Sequence, residues 1–156
     1  MLGLLVAGCT GALDGSGSEP RDGLATVVDR IVDGDTLVVA DLDERVRLIG
    51  IDTPETPRGE PAECFGREAT GHLEGLVPPG TAVRVVFDIE REDRFGRPLG
   101  YLYRASDDLF VNLAMVRDGY ASTLTIPPNV THEDALVRAQ RDAREAGRGL
   151  WGACRG

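Results

Sequence analysis

The chain has 156 residues, which by length is one domain, large enough to bury most of its apolar surface without a partner. Its composition is ordinary for a globular protein, at 42% hydrophobic and 28% charged, but its formal net charge is −9 and every lysine-or-arginine position is an arginine. That balance argues against a generic polyanion binder gripping through a broad basic face, so any nucleic-acid contact must be local and built from a few arginines. An acidic, lysine-free surface fits a high-salt habitat or a GC-rich genome.

In chain order, Leu2 to Cys9 is an apolar run ending in small residues before a cysteine, and it resembles the lipobox of a secreted lipoprotein with Cys9 as the lipidated residue. Thr10 to Glu19 is rich in Gly, Ser and Asp and suits a flexible tether. The run lacks a positive n-region and is short for a signal peptide, so a chance apolar tail is the alternative. It is too short to span a bilayer as a helix. The expected division is therefore a leader and tether over 1–23 and a folded domain over 24–156, extracellular or at the cell surface and anchored only through Cys9. With Cys9 lipidated, Cys64 and Cys154 remain as an even pair in an oxidising compartment. A disulfide between them is expected, with two separate thiols as the alternative.

Strands are predicted over Leu24–Val32, Thr36–Ala40, Arg45–Ile51, Thr81–Asp88 and Leu99–Arg104. Asp33-Gly34-Asp35 turns the first into the second, and a charged hairpin over Glu90–Arg97 precedes the fifth. Phe65, Ala69, Leu73 and Leu76 recur at helical spacing and predict a helix over Cys64–Leu76. A second short helix is expected from Asn112, as its cap, through Asp118, with Gly119 ending it. In the last helix Thr131 and Asp134 approximate a capping box, and Ala135, Ala139, Ala143 and Ala146 form an apolar stripe. His72 and His132 are expected as surface or capping residues, Tyr101 and Tyr103 as packing residues, and Trp151 as a C-terminal anchor.

The chemistry gathers at the end of the third strand. Pro54 cannot donate to a sheet ladder and biases Thr53 toward extended backbone, so the strand stops there and presents Asp52 and Glu55 at its tip. Asp33 and Asp35 stand at the earlier turn, Arg47 on the strand itself and Arg97 at the close of the hairpin. Carboxylates brought close together repel unless a cation sits between them, and oxygen ligands of this kind suit calcium. Arginines beside such a cation suit phosphate, because the guanidinium fork matches two phosphate oxygens. Taken singly each feature has a plainer reading: a hairpin with solvated acids, a strand arginine paired with an acid, a hairpin charge, a glutamate solvated in its loop. Their combination on a five-strand pattern lowers those readings.

The motifs Val-Asp-Gly-Asp-Thr at 32–36, Arg-Leu-Ile-Gly-Ile-Asp-Thr-Pro-Glu at 47–55, Phe-Gly-Arg-Glu-Ala at 65–69, Asp-Arg-Phe-Gly-Arg at 93–97 and Asn-Leu-Ala-Met-Val-Arg-Asp-Gly at 112–119 resemble those of the staphylococcal nuclease-like (thermonuclease) family. Thr-His-Glu at 131–133 and Gly-Leu-Trp at 149–151 extend the likeness over about Leu24 to Trp151. The resemblance implies an α+β fold, a five-stranded OB-type Greek-key barrel with three α-helices. It implies a calcium ion held by Asp35, Asp52 and the carbonyl of Thr53, with Asp33 in support. It implies that Glu55 orients or deprotonates the attacking water, and that Arg47 and Arg97 bind the scissile phosphate and stabilise its five-coordinate transition state. The implied activity is hydrolysis of DNA or RNA phosphodiesters to leave 3′-phosphates, by a protein expected to be monomeric.

The sequence departs from the family where its namesake places base-stacking tyrosines. Here Ser122-Thr123-Leu124-Thr125-Ile126-Pro127 has no aromatic ring, and Phe95 in the hairpin lacks a hydroxyl. Base stacking is worth about 1–3 kcal/mol per base, so base binding is expected to be weaker or met elsewhere. Two rival readings follow: a non-catalytic OB-type nucleic-acid-binding module, and an extracellular domain whose acids bind calcium for structure only. The joint presence of Asp35, Arg47, Asp52, Glu55 and Arg97 speaks for the nuclease.

Overall fold

The computed structural model describes residues 23–57 and 60–154; Cys9 and the expected tether lie outside the described residues. Five strands build the barrel: β1 (Leu24–Asp33), β2 (Thr36–Val39), β3 (Leu42–Leu48), β5 (Ala82–Val86) and β6 (Leu99–Arg104). Antiparallel pairing runs β3-β2-β1-β5-β6, and the sheet closes on itself where β3 meets β6 in parallel through Arg47 opposite Leu99 and Leu48 opposite Gly100. Closure removes the sheet edges that an open five-stranded sheet would expose. Irregular register in β1 beside β2, between Val28 and Arg30 and between Ile31 and Asp33, supplies the bending a small barrel needs.

Alternating side chains fill the interior: Leu37, Val39, Val46, Leu48, Val85 and Leu102 are all fully buried. Helix α1 (Gly66–Leu76) contributes Ala69 and Leu73 to the same core, α2 (Val111–Arg117) contributes Met115 and Val116, and α3 (Glu133–Glu145) contributes Leu136. A further single turn, α4 (Leu150–Ala153), follows. The barrel and its three longer helices are the OB-type architecture expected from the sequence.

The third strand is not continuous. It breaks after Leu48, turns through Gly50 at φ 78°, a conformation that favours glycine, and resumes as β4 (Gly50–Asp52). β4 leaves the barrel and pairs with β8 (Ser122–Leu124), for which no strand is predicted from the sequence. Two-residue β7 (Leu109–Phe110) extends the sheet beside β6.

Several local expectations give way to tertiary contacts. Helix α1 begins at Gly66 rather than Cys64, with Phe65 in left-handed backbone at φ 72°. Asn112 is not a cap but lies fully buried inside α2, where Oδ1 accepts from the Leu102 amide at 2.9 Å and Nδ2 donates to the Ile49 carbonyl at 2.8 Å. No capping box forms at α3, because the Thr131 hydroxyl donates instead to Asp88 at 3.0 Å. Of the alanine stripe on α3, Ala143 is buried and Ala139 packs against the core, Leu136 joins them, and Ala146 is exposed.

Both histidines are half-buried with ring contacts, and His132 stands at the N-cap position of α3 without a side-chain cap bond. His72 stacks on Tyr120 with ring centroids 3.8 Å apart and pairs with Asp118 at 3.0 Å. His132 packs edge-on to Tyr101 and hydrogen-bonds with the Tyr103 hydroxyl at 3.3 Å. Tyr101 packs in the barrel wall and its hydroxyl donates to Asp88. Trp151 lies against Arg144 of α3, 4.9 Å from the guanidinium carbon to the ring centre. Cys64 and Cys154 form a disulfide across 90 residues of chain.

Candidate active site

The β1–β2 turn delivers Asp33 and Asp35, and antiparallel register sets Thr36 opposite Arg47 on β3. Asp35 is buried, so each of its oxygens must find a donor. Oδ1 accepts from the Thr36 hydroxyl at 3.1 Å, and Oδ2 accepts from the Thr53 amide and hydroxyl at 2.9 and 3.0 Å. The Arg47 guanidinium completes the set, with Nη2 3.2 Å from Asp35 Oδ2 and 2.9 Å from Asp52 Oδ1. Its Nη1 donates to the carbonyls of Leu48 and Ile51 at 3.0 and 2.9 Å. The second of these bonds crosses the β3–β4 break, so the kink at Gly50 and the aim of Arg47 are one structural feature.

Asp33 and Asp52 are electrostatically loaded. Burial, with the neighbouring Asp35 charge second, pushes Asp33 up to about 6, while Asp33 Oδ1 accepts the Asp35 amide at 3.1 Å. Burial also raises the Asp52 carboxyl against the opposing pull of Arg47, and Asp35 adds to the rise. Carboxylates held in this condition favour a cation. Among the described residues no three His, Cys, Asp or Glu side chains gather as a metal cage. The candidate donors are instead two carboxylates, Asp35 and Asp52, with a carbonyl from Thr53. A hard cation accepts such a set when water or substrate oxygens complete it, so the donor chemistry fits calcium.

Arg97 comes from the hairpin before β6. Its hairpin is organised by Asp93, whose Oδ1 accepts the amides of Phe95 and Arg97 at 2.8 and 3.0 Å and whose Oδ2 accepts from Arg97 Nε at 2.7 Å. These bonds hold the Asp93 carboxyl below the usual carboxylate range despite some burial. Arg47 and Arg97 line one cavity of about 460 Å³, whose rim includes Phe95, Leu124, Ile126 and Asn129. Asn129 fixes that rim to the hairpin by bonding both the amide and the carbonyl of Glu90 at 2.8 Å.

Glu55 lies beyond the end of β4 in an exposed loop, and its carboxylate makes no hydrogen bond or ion pair with any described residue. The fold thus brings together Asp33, Asp35, Arg47, Asp52 and Thr53, places Arg97 in the lining of the cavity that Arg47 also lines, and leaves the Glu55 side chain open to solvent. Residues that sequence reasoning passed over are Asp93, whose partners lie in its own hairpin, Asn129, whose partner Glu90 is 39 residues away, and Glu63, which bonds the Glu55 backbone eight residues away. Only the Asp93–Arg97 spacing within one hairpin carried a local signal.

A closed OB-type barrel joins a carboxylate–arginine cluster to a cavity that Arg47 lines together with Arg94 and Arg97, and guanidiniums so placed suit phosphate. A family profile described as staphylococcal nuclease homologue matches residues 45–153, and the chain belongs to that family. It is 33% identical over 132 residues to a thermonuclease of Staphylococcus intermedius, covering 83% of this chain and 77% of the relative. It is 30% identical over 126 residues to a thermonuclease of Staphylococcus hyicus, covering 78% and 72%. An uncharacterized endonuclease of Escherichia coli O157:H7 is 36% identical over 124 residues, covering 78% and 73%.

Proposed function

We propose that the chain is a calcium-dependent nuclease that hydrolyses phosphodiester bonds of DNA or RNA and leaves 3′-phosphate ends. Membership of the staphylococcal nuclease family makes it a hydrolase acting on phosphodiesters, with nucleic acid as substrate. The observation that supports the finer reading is Arg47, whose guanidinium is held between Asp35 and Asp52 and which lines the same cavity as Arg97.

Asp35, Asp52 and the Thr53 carbonyl would hold the calcium ion, with Asp33 in support; when bound, the ion polarises a phosphoryl oxygen. The remaining steps fall to side chains. Glu55, free of partners among the described residues, accepts a proton from the attacking water. Arg47, held beside Asp35 and Asp52, and Arg97, aimed by Asp93, meet the charge that develops on the phosphate. The Cys64–Cys154 disulfide agrees with an oxidising compartment and so with a secreted or surface-tethered enzyme.

The test is cleavage of single- and double-stranded DNA by the full chain, with calcium or with chelator, beside Glu55→Gln. Calcium-dependent cleavage that falls about 10²–10⁴-fold in Glu55→Gln, with the fold unchanged, is the expected outcome. Calcium binding with no cleavage under any condition would favour the binding-module or structural reading instead.

A further inference from the structure

The Glu55 carboxylate has no described partner, yet its backbone is held from both sides. Its amide donates to the Glu63 carboxylate at 2.9 Å, and its carbonyl accepts from the Glu63 amide at 2.9 Å. One residue therefore clasps both backbone polar groups of the candidate base, eight positions away. Glu63 is itself anchored: its carbonyl accepts the Gly66 amide at 3.0 Å at the start of α1, and the next residue, Cys64, is covalently tied to Cys154. Gly66 packs against the same strip of backbone, where a Cβ would come within 2.7 Å of the Glu55 carbonyl oxygen and 3.0 Å of that of Pro54.

We infer that Glu63 is a positioning residue for catalysis, a clasp that fixes the Glu55 backbone and through it the reach of the Glu55 carboxylate. The inference rests on the reading of Glu55 as the base. A charged acceptor on a backbone amide is the stronger kind of hydrogen bond, and a base misplaced by about 1 Å loses about 10²-fold in rate. Because Glu63 does not touch the reacting atoms in this arrangement, its loss should lower kcat while leaving substrate binding in place.

The experiment compares Glu63→Ala and Glu63→Gln in the full chain, each also in the Glu55→Gln background, by steady-state kinetics and by amide exchange at residue 55. Glu63→Ala is expected to lower kcat about tenfold or more with KM and melting temperature little changed, and to speed exchange of the Glu55 amide. Glu63→Gln, which keeps an acceptor oxygen, should recover most of both. In the Glu55→Gln background the Ala substitution should cost nothing further. Gly66→Ala, which presses on the Glu55 carbonyl from the other side, should reproduce the kcat loss with Glu63 intact. Full activity in Glu63→Ala beside an inactive Glu55→Gln would overturn the positioning role alone, as would additive losses in the double variant or a fall in KM and melting temperature that Gln does not rescue. Full activity in Glu55→Gln itself would overturn the base reading and the clasp with it.

Discussion

At the residue scale the burial of polar groups is what ties the site to the fold. Asn112 bridges β6, through the Leu102 amide, to the turn between β3 and β4, through the Ile49 carbonyl, from a position with no solvent exposure. Removing its side chain strands a donor and an acceptor that water cannot reach, each costing about 1–3 kcal/mol. Asn112→Ala is therefore expected to lose about 2–4 kcal/mol in urea unfolding, and Asn112→Asp to fare no better, since it restores the acceptor but not the donor. Because Ile49 leads into the Gly50 kink that aims Arg47, activity should fall in these variants even at temperatures where they remain folded.

At the element scale, two ties bind the helices to the barrel. The first is the ring cluster of His132 at the head of α3 with Tyr101 and Tyr103 of β6 and with Phe110. Burial lowers the His132 pKa below its ordinary value, with Asp88 pulling the other way. The unfolded chain thus takes up a proton on this residue at higher pH than the folded one does, and stability falls as pH drops below about 6.5. His132→Phe removes that contribution, so the melting-temperature gap between pH 7.5 and pH 5 should narrow; a gap of unchanged width would contradict it. The second tie is the disulfide from the start of α1 to the end of α4. Replacing both cysteines by serine frees a 90-residue loop in the unfolded state and is expected to cost about 2–4 kcal/mol, read from urea midpoints against the oxidised protein.

At the scale of the whole molecule, a net charge of −9 opposes the approach of a polyanion. Screening shortens the reach of that repulsion from about 10 Å at 0.1 M salt to about 3 Å at 1 M, while the direct contacts of Arg47 and Arg97 act at shorter range. The initial rate of DNA cleavage should therefore rise from low to moderate salt, opposite to the usual trend for nucleic-acid proteins. A rate that falls monotonically with salt, in a protein that stays folded, would contradict it.

Local pattern was enough wherever a segment's own alternation matched its burial. Strand β6 occupies Leu99–Arg104, the span its alternation predicts, and the Asp33–Asp35 turn and the proline stop at Pro54 are likewise visible in short runs of sequence. Three-residue β4 and β8 have too few residues to show a period and exist because each has the other to pair with. A polar residue near a helix start suggests a cap, as Asn112 and Thr131 do, until the fold offers a buried carbonyl or Asp88 as the better partner. Which residue types are candidates for the chemistry was thus determined by the sequence alone, since carboxylates, guanidiniums and a strand-ending proline have their chemistry wherever they stand. Only the tertiary structure decided that Asp35 meets Thr53 and Arg47, that Arg97 shares a cavity with Arg47, and that Glu63 clasps Glu55, because those distances depend on barrel closure and on hydrogen bonds between segments far apart in the chain.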